Sequence, residues 1–216
     1  MNTRKEKSKA TEIIIISCFI SIAYAIIRYH ILGEILWKDL PIYILNKGIA
    51  LSAFILLCIN FSIGPIQNLG INVPQKFMNA RKGIGTIVFL LTLVHVCMSV
   101  LLFTPTVYKQ FFLENGTLTL SGGISLLGGI IGFILLWVYD SVFKTSLKEE
   151  RQFIAFFRSR KFILTATITG GIHLFFMGLN GWMTPEKWYG GLPPISLIGI
   201  ICFSFSYFIN IVGRKT

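Results

Sequence analysis

Six apolar runs of about 20 residues divide this chain, and a hydrocarbon layer roughly 30 Å thick is the environment that requires runs of that length. They cover about 13–31, 48–65, 84–103, 120–142, 162–182 and 195–212. The runs are continuous and do not alternate, so they read as helices and not as barrel strands. With 54% hydrophobic and 13% charged residues and a mean hydropathy of +0.72, the composition agrees. The expected fold is an all-α integral membrane protein. A six-helix transmembrane bundle over 13–212 follows a basic N-terminal segment, 1–12, and precedes a short tail, 213–216.

The charge of +11 is distributed unevenly. Of the 20 Lys and Arg, fifteen (4, 5, 7, 9, 76, 81, 82, 144, 148, 151, 158, 160, 161, 214 and 215) fall on one side of the six-span arrangement. The other five are Arg28, Lys38, Lys47, Lys109 and Lys187. That asymmetry follows the positive-inside rule, so both termini are expected in the cytoplasm, in a multi-pass protein of the cell's inner (plasma) membrane. It also argues against a basic face for nucleic acid; the partner surface is membrane lipid. The opening "MNTRKEKSKATEIIIISCFISIAYA" has a signal-like start. The apolar run continues past Ala23 through Ile26 and Ile27, so an uncleaved first span is expected. Cys18, Cys58, Cys97 and Cys202 all fall inside spans with no C-x-x-C pair, and read as small apolar side chains.

Two stretches share a pattern. "RKGIGTIVFLLTLVH" (81–95) and "RKFILTATITGGIH" (160–173) each begin with Arg-Lys and run uncharged to a histidine. Each histidine stands about 16 Å into its span at 1.5 Å per residue, near mid-bilayer. A polar ring at that depth is costly unless something satisfies it. Three uses compete: a structural hydrogen bond to a neighbouring helix, a proton relay, and axial ligation of one haem iron by both rings. Around the second histidine, Gly170 and Gly171 leave room for a macrocycle, and Thr169 is placed to accept the other ring N–H. The glycines of span four (122, 123, 128, 129 and 132) suit close helix packing. His30, beside Arg28, stands near the far end of span one. His30, Arg28 and Lys47 are either interfacial side chains or cations facing haem propionates.

The stretches "LPIYILNKGIALSAFILLCINFSIGPI", "NARKGIGTIVFLLTLVHVCMSVLLF" and "RSRKFILTATITGGIHLFFMG" together resemble the ferric-reductase-like transmembrane domain superfamily, over about 41–180. Within it, the chain looks most like the bacterial haem-binding membrane subunits that serve a periplasmic methionine-sulfoxide reductase. The resemblance implies haem b between His95 and His173. Electrons would pass from cytoplasmic NAD(P)H or flavin, or from quinol, to an acceptor such as a ferric chelate, a quinone or a periplasmic reductase. Many members carry a second histidine about 13 residues earlier on each helix. Here those positions hold Arg81 or Lys82, and Arg160, which cannot ligate iron as a neutral imidazole does, so one haem is expected. The sulfoxide-reductase subunits keep a histidine where this chain has Arg160, a departure from their pattern. No G-x-G-x-x-G fingerprint follows a strand, so any NAD(P)H oxidation belongs to a separate redox partner. Arg81, Lys82, Arg160 and Lys161 are then candidates to dock an FMN or FAD phosphate, or that partner. The rival reading is a cofactor-free small transporter or scaffold, which explains the glycines and the charge fringe but not the matched histidines.

Overall fold

The computed structural model describes residues 8–144, 156 and 159–213, with the backbone alone at 142–144 and 160. Among these residues there are six long helices: α1 (Ala10–Ile26, prolonged by a π turn to Ile31), α2 (Leu45–Asn68), α3 (Arg81–Leu102), α4 (Leu120–Lys144), α5 (Arg160–Trp182) and α6 (Ile195–Val212). All six are long and apolar enough to cross a membrane. Among the described residues the only β pairing is one isolated bridge, Phe112 with Leu118. The chain is a multi-pass membrane protein of the all-α class. In such surroundings a backbone satisfied within its own helix is the stable choice, which is why uninterrupted apolar sequence becomes uninterrupted helix.

The helices outrun the apolar runs by a few residues at several ends. Arg81 and Lys82 belong to α3, and Arg160 and Lys161 to α5. Apolarity marks where a chain meets hydrocarbon, whereas the hydrogen-bonded spiral continues into the interface. Ahead of α2 the chain is already coiled, as a 3₁₀ turn (Trp37–Asp39) and a π turn (Leu40–Ile44) holding Pro41. Most of segment 1–12, the stretch 145–155, Arg158 and residues 214–216 lie outside the described residues.

Helix α2 packs against α1, α3 and α6, and α5 packs against α4 and α6. A lighter contact of α3 with α4 closes a ring of five helices, α2 to α6, with α1 outside it on α2 and α3. The α2–α6 seam is polar. Ser62 donates to Ser206 (3.0 Å), Ser206 to the Cys58 carbonyl (3.2 Å), and Asn210 to the Phe61 carbonyl (3.2 Å). Hydrogen bonds of this kind hold helices together where lipid removes the hydrophobic drive, at about 0.6 kcal/mol each. Helices α3 and α5 are not neighbours in the ring, and they are the two that carry the mid-span histidines.

Candidate functional site: two imidazoles across the helix ring

Antiparallel pairing with α2 positions His95. Asn46 of α2 is buried, at 1% exposure, and its Oδ1 lies 2.7 Å from His95 Nδ1. The Asn46 amide nitrogen donates to Ser99 Oγ at 3.1 Å, one turn beyond the histidine, which fixes the oxygen of the amide towards the ring. An amide oxygen only accepts, so Nδ1 carries the proton and Nε2 keeps its lone pair.

His173 is held the same way by a different helix. Its Nδ1 donates to the Ser125 carbonyl of α4 at 2.8 Å, and Ser125 Oγ donates to the His173 carbonyl at 3.1 Å. Nε2 is again the free nitrogen. Helix α4 reaches His173 through its glycines. A Cβ on Gly129 would lie 2.9 Å from His173 Nδ1, and one on Gly128 would lie 3.1 Å from the His173 amide nitrogen. Gly128 and Gly129 therefore serve helix packing and specifically the seating of this imidazole, while Gly122 packs on Phe111 and Gly132 on Thr169.

The two rings share a level. Phe89 of α3 stacks on Phe133 of α4 at 6.3 Å, while Gly129 of α4 faces His173. Counted along α4 from those two contacts, His95 and His173 stand within about two residues of one height, roughly 3 Å. Both side chains are half-buried, and their helices face each other across the ring without packing together.

Other residues take different places from those expected. Thr169 donates its hydroxyl to the Ala166 carbonyl at 2.9 Å and packs against Gly132, so Ser125 and not Thr169 fixes the tautomer of His173. A threonine hydroxyl in a helix bonds most readily to a carbonyl of its own preceding turn, which removes it from a partner further along. Gly170 and Gly171 are already faced by aromatic rings. Their Cβ positions lie 3.0 Å from Phe54 of α2 and 2.7 Å from Phe203 of α6, so the space beside them belongs to those rings. Arg28 is buried, at 4% exposure, and its Nε donates to the carbonyls of Leu192 (3.1 Å) and Pro193 (2.9 Å). Lys47 sits among tyrosine rings. His30 binds the Ile35 carbonyl through Nδ1 (2.7 Å) and lies on Trp37, at the loop end of α1.

At the opposite end, Lys82 and Lys161 are exposed and Arg81 is half-buried, its guanidinium lying over Gly64 of α2. Arg160 opens α5. Among the described residues no cluster of three or more His, Cys, Asp or Glu is placed to hold a metal ion. Two imidazoles alone suffice for an iron whose other four ligands come from a porphyrin, and the donor set here, two neutral rings with free Nε2 atoms, fits that group.

Asn46, Ser99 and Ser125 are additions to the expected site. Ser99 stands four residues after His95, a spacing visible in the sequence, whereas Asn46 and Ser125 lie 49 and 48 residues from their histidines. Replacing Asn46 by Leu removes the nearer of the two oxygens beside His95 Nδ1, the other being Ser99 Oγ at 3.3 Å. For a haem held by this histidine pair, affinity would fall about 10–100-fold, the usual effect of losing an outer-shell partner, and haem titration of the variant measures it.

No family model matches the chain, and no curated protein is significantly similar to it.

Proposed function

We propose that this protein carries single electrons across a membrane through one haem b held between His95 and His173. The observation that supports this most is the pair of matched tautomers: two imidazoles at one level, each with Nδ1 bound to an oxygen and Nε2 left bare. His30 has the same arrangement, so what favours the pair is the arrangement repeated at one level on facing helices, and a proton relay would use the second nitrogen. Bound haem supplies one-electron chemistry, the iron alternating between ferric and ferrous states. His95 and His173 would hold the group through their two Nε2 atoms, which would leave O₂ no open position. Asn46 and Ser125 fix the ring orientations and hold the single proton on Nδ1, which leaves Nε2 as the ligating nitrogen.

Half of the hydrocarbon layer, roughly 15 Å, separates this level from the face where the helices carrying the two histidines begin. In this proposal that face is cytoplasmic, by the charge distribution, and the membrane is the inner (plasma) membrane. Arg81, Lys82, Arg160 and Lys161 would there dock the phosphate of a flavin (FMN or FAD) or an acidic reductase partner, or border a quinol site. The acceptor at the opposite face would be a ferric chelate, a quinone or a periplasmic reductase. The protein would thus be a ferric-reductase-like oxidoreductase or its electron-transfer subunit, as the resemblance to that superfamily implies.

The optical spectrum of purified protein tests the proposal. A sharp Soret band that moves on reduction with dithionite is expected, and a colourless preparation from cells with ample haem would end the electron-transfer reading.

A further inference from the structure

Helices α2 and α6 run in the same direction and keep one register. Ser62 and Ser206, joined at 3.0 Å, are 144 residues apart. Leu51 and Ile195, which belong to one buried cluster, are separated by the same interval. Nearer the basic end, Asn68 of α2 donates to the Gly213 carbonyl at 3.2 Å, so the two helices stay together along the seam. Leu51, Cys58 and Ser62 follow one another at intervals of seven and four residues, as do Ile195, Cys202 and Ser206. Those intervals place each set along one stripe of its helix. Cys58 and Cys202 therefore stand opposite each other, one turn before the Ser62–Ser206 hydrogen bond.

The helices approach closely in that layer. Ser206 Oγ donates to the Cys58 carbonyl at 3.2 Å, so the backbone of Cys58 itself touches α6. Two serines in hydrogen bond bring their Cβ atoms within two C–O bonds and one hydrogen bond of each other, and a disulfide spans Cβ atoms about 3.5–4.5 Å apart. Both cysteines are free thiols, Cys58 buried and Cys202 half-buried, whereas Cys18 and Cys97 belong to other helices. Cys58 lies six residues along α2 from Gly64, over which the Arg81 guanidinium rests. That is about 9 Å from the basic end, within the apolar layer. An oxidant for this pair has to be soluble in lipid, and it meets the half-buried Cys202 first.

We propose that Cys58 and Cys202 are a redox-active pair that closes as a disulfide between α2 and α6, with a membrane quinone as oxidant. Two S–H bonds break and one S–S bond forms; the quinone takes the two electrons and two protons and becomes the quinol. Quinones are competent final oxidants for protein dithiols. Helix α2 carries Asn46, the partner of His95, and α6 carries Phe203, which packs at Gly171 two residues before His173. The bond thus latches together two walls of the helix ring. The inference stands apart from the haem reading, since it involves neither histidine.

Duroquinone tests it, because its fully substituted ring oxidises thiols without alkylating them. Membranes containing the full chain are treated, the protein is denatured, and the remaining thiols are counted by the mass added with a maleimide-polyethylene glycol. Of the four thiols of the wild type, two should disappear and return with dithiothreitol. The Cys18→Ser/Cys97→Ser variant, which keeps only the pair, should lose both and run as a monomer on a non-reducing gel. Cys58→Ser and Cys202→Ser should each keep all their remaining thiols. The proposal is overturned if the pair-only variant keeps both thiols under excess duroquinone, if it runs as a cross-linked dimer, or if Cys58→Ser loses two thiols as the wild type does.

Discussion

On the proposed function, alanine in place of either His95 or His173 is expected to strip most of the haem, while alanine in place of His30 is expected to leave it bound. In that proposal each of the two histidines would supply one of only two protein ligands, so its loss should exceed the about 10–100-fold effect of losing an outer-shell partner. The His30 control is a demanding one. That ring too has Nδ1 on a carbonyl, of Ile35, and so presents a free Nε2. What it lacks is position, since it lies on Trp37 at the loop end. Haem content per protein, measured by pyridine haemochrome on all three variants at matched monodispersity, decides. Loss of haem from His30→Ala with retention in His95→Ala would reassign the ligand.

Gly129→Leu is expected to have the second largest effect, although it removes no polar group. The Cβ alone would lie 2.9 Å from His173 Nδ1 and 3.3 Å from Cε1 of the same ring. The imidazole must then leave the Ser125 carbonyl, or α4 must leave α5. Overpacking of this kind costs about 1–3 kcal/mol and sometimes more. The variant should therefore unfold at lower temperature and retain little haem. Gly123 of the same helix is the control, because nothing lies within 4 Å of its Cβ position. Gly123→Ala should be neutral or slightly stabilising, since alanine is the better helix former by up to about 1 kcal/mol. Equal thermal midpoints for wild type and Gly129→Leu would show that α4 does not seat His173.

The six helices were legible because hydrocarbon imposes length and apolarity together, and each run from 13–31 to 195–212 satisfies both. The histidines were legible because a basic pair marks where α3 and α5 begin, and the residue count from that mark gives depth. What holds the rings was not legible. Asn46 and Ser125 meet His95 and His173 across helix pairs, at sequence separations that no local spacing encodes. Asn46 still carried a signal, as an asparagine at the start of an apolar run, where a polar amide needs a partner in a neighbouring helix. Thr169 illustrates the reverse case. Its spacing from His173 suits a hydrogen bond, yet its hydroxyl is taken by the Ala166 carbonyl one turn below. Arg28 stands near a span end, where long cations usually reach for headgroups. Its burial depends on the two loop carbonyls before α6, which only the folded chain brings within reach.

Haem-to-protein stoichiometry combined with the electron paramagnetic resonance spectrum of the oxidised protein tests the two-imidazole iron site most directly. One haem per chain with a low-spin ferric signal, with the little haem retained after replacement of either His95 or His173 turned high-spin, is the result expected of two imidazoles on one iron. A high-spin signal in the wild type, two haems per chain, or no haem at all would contradict it.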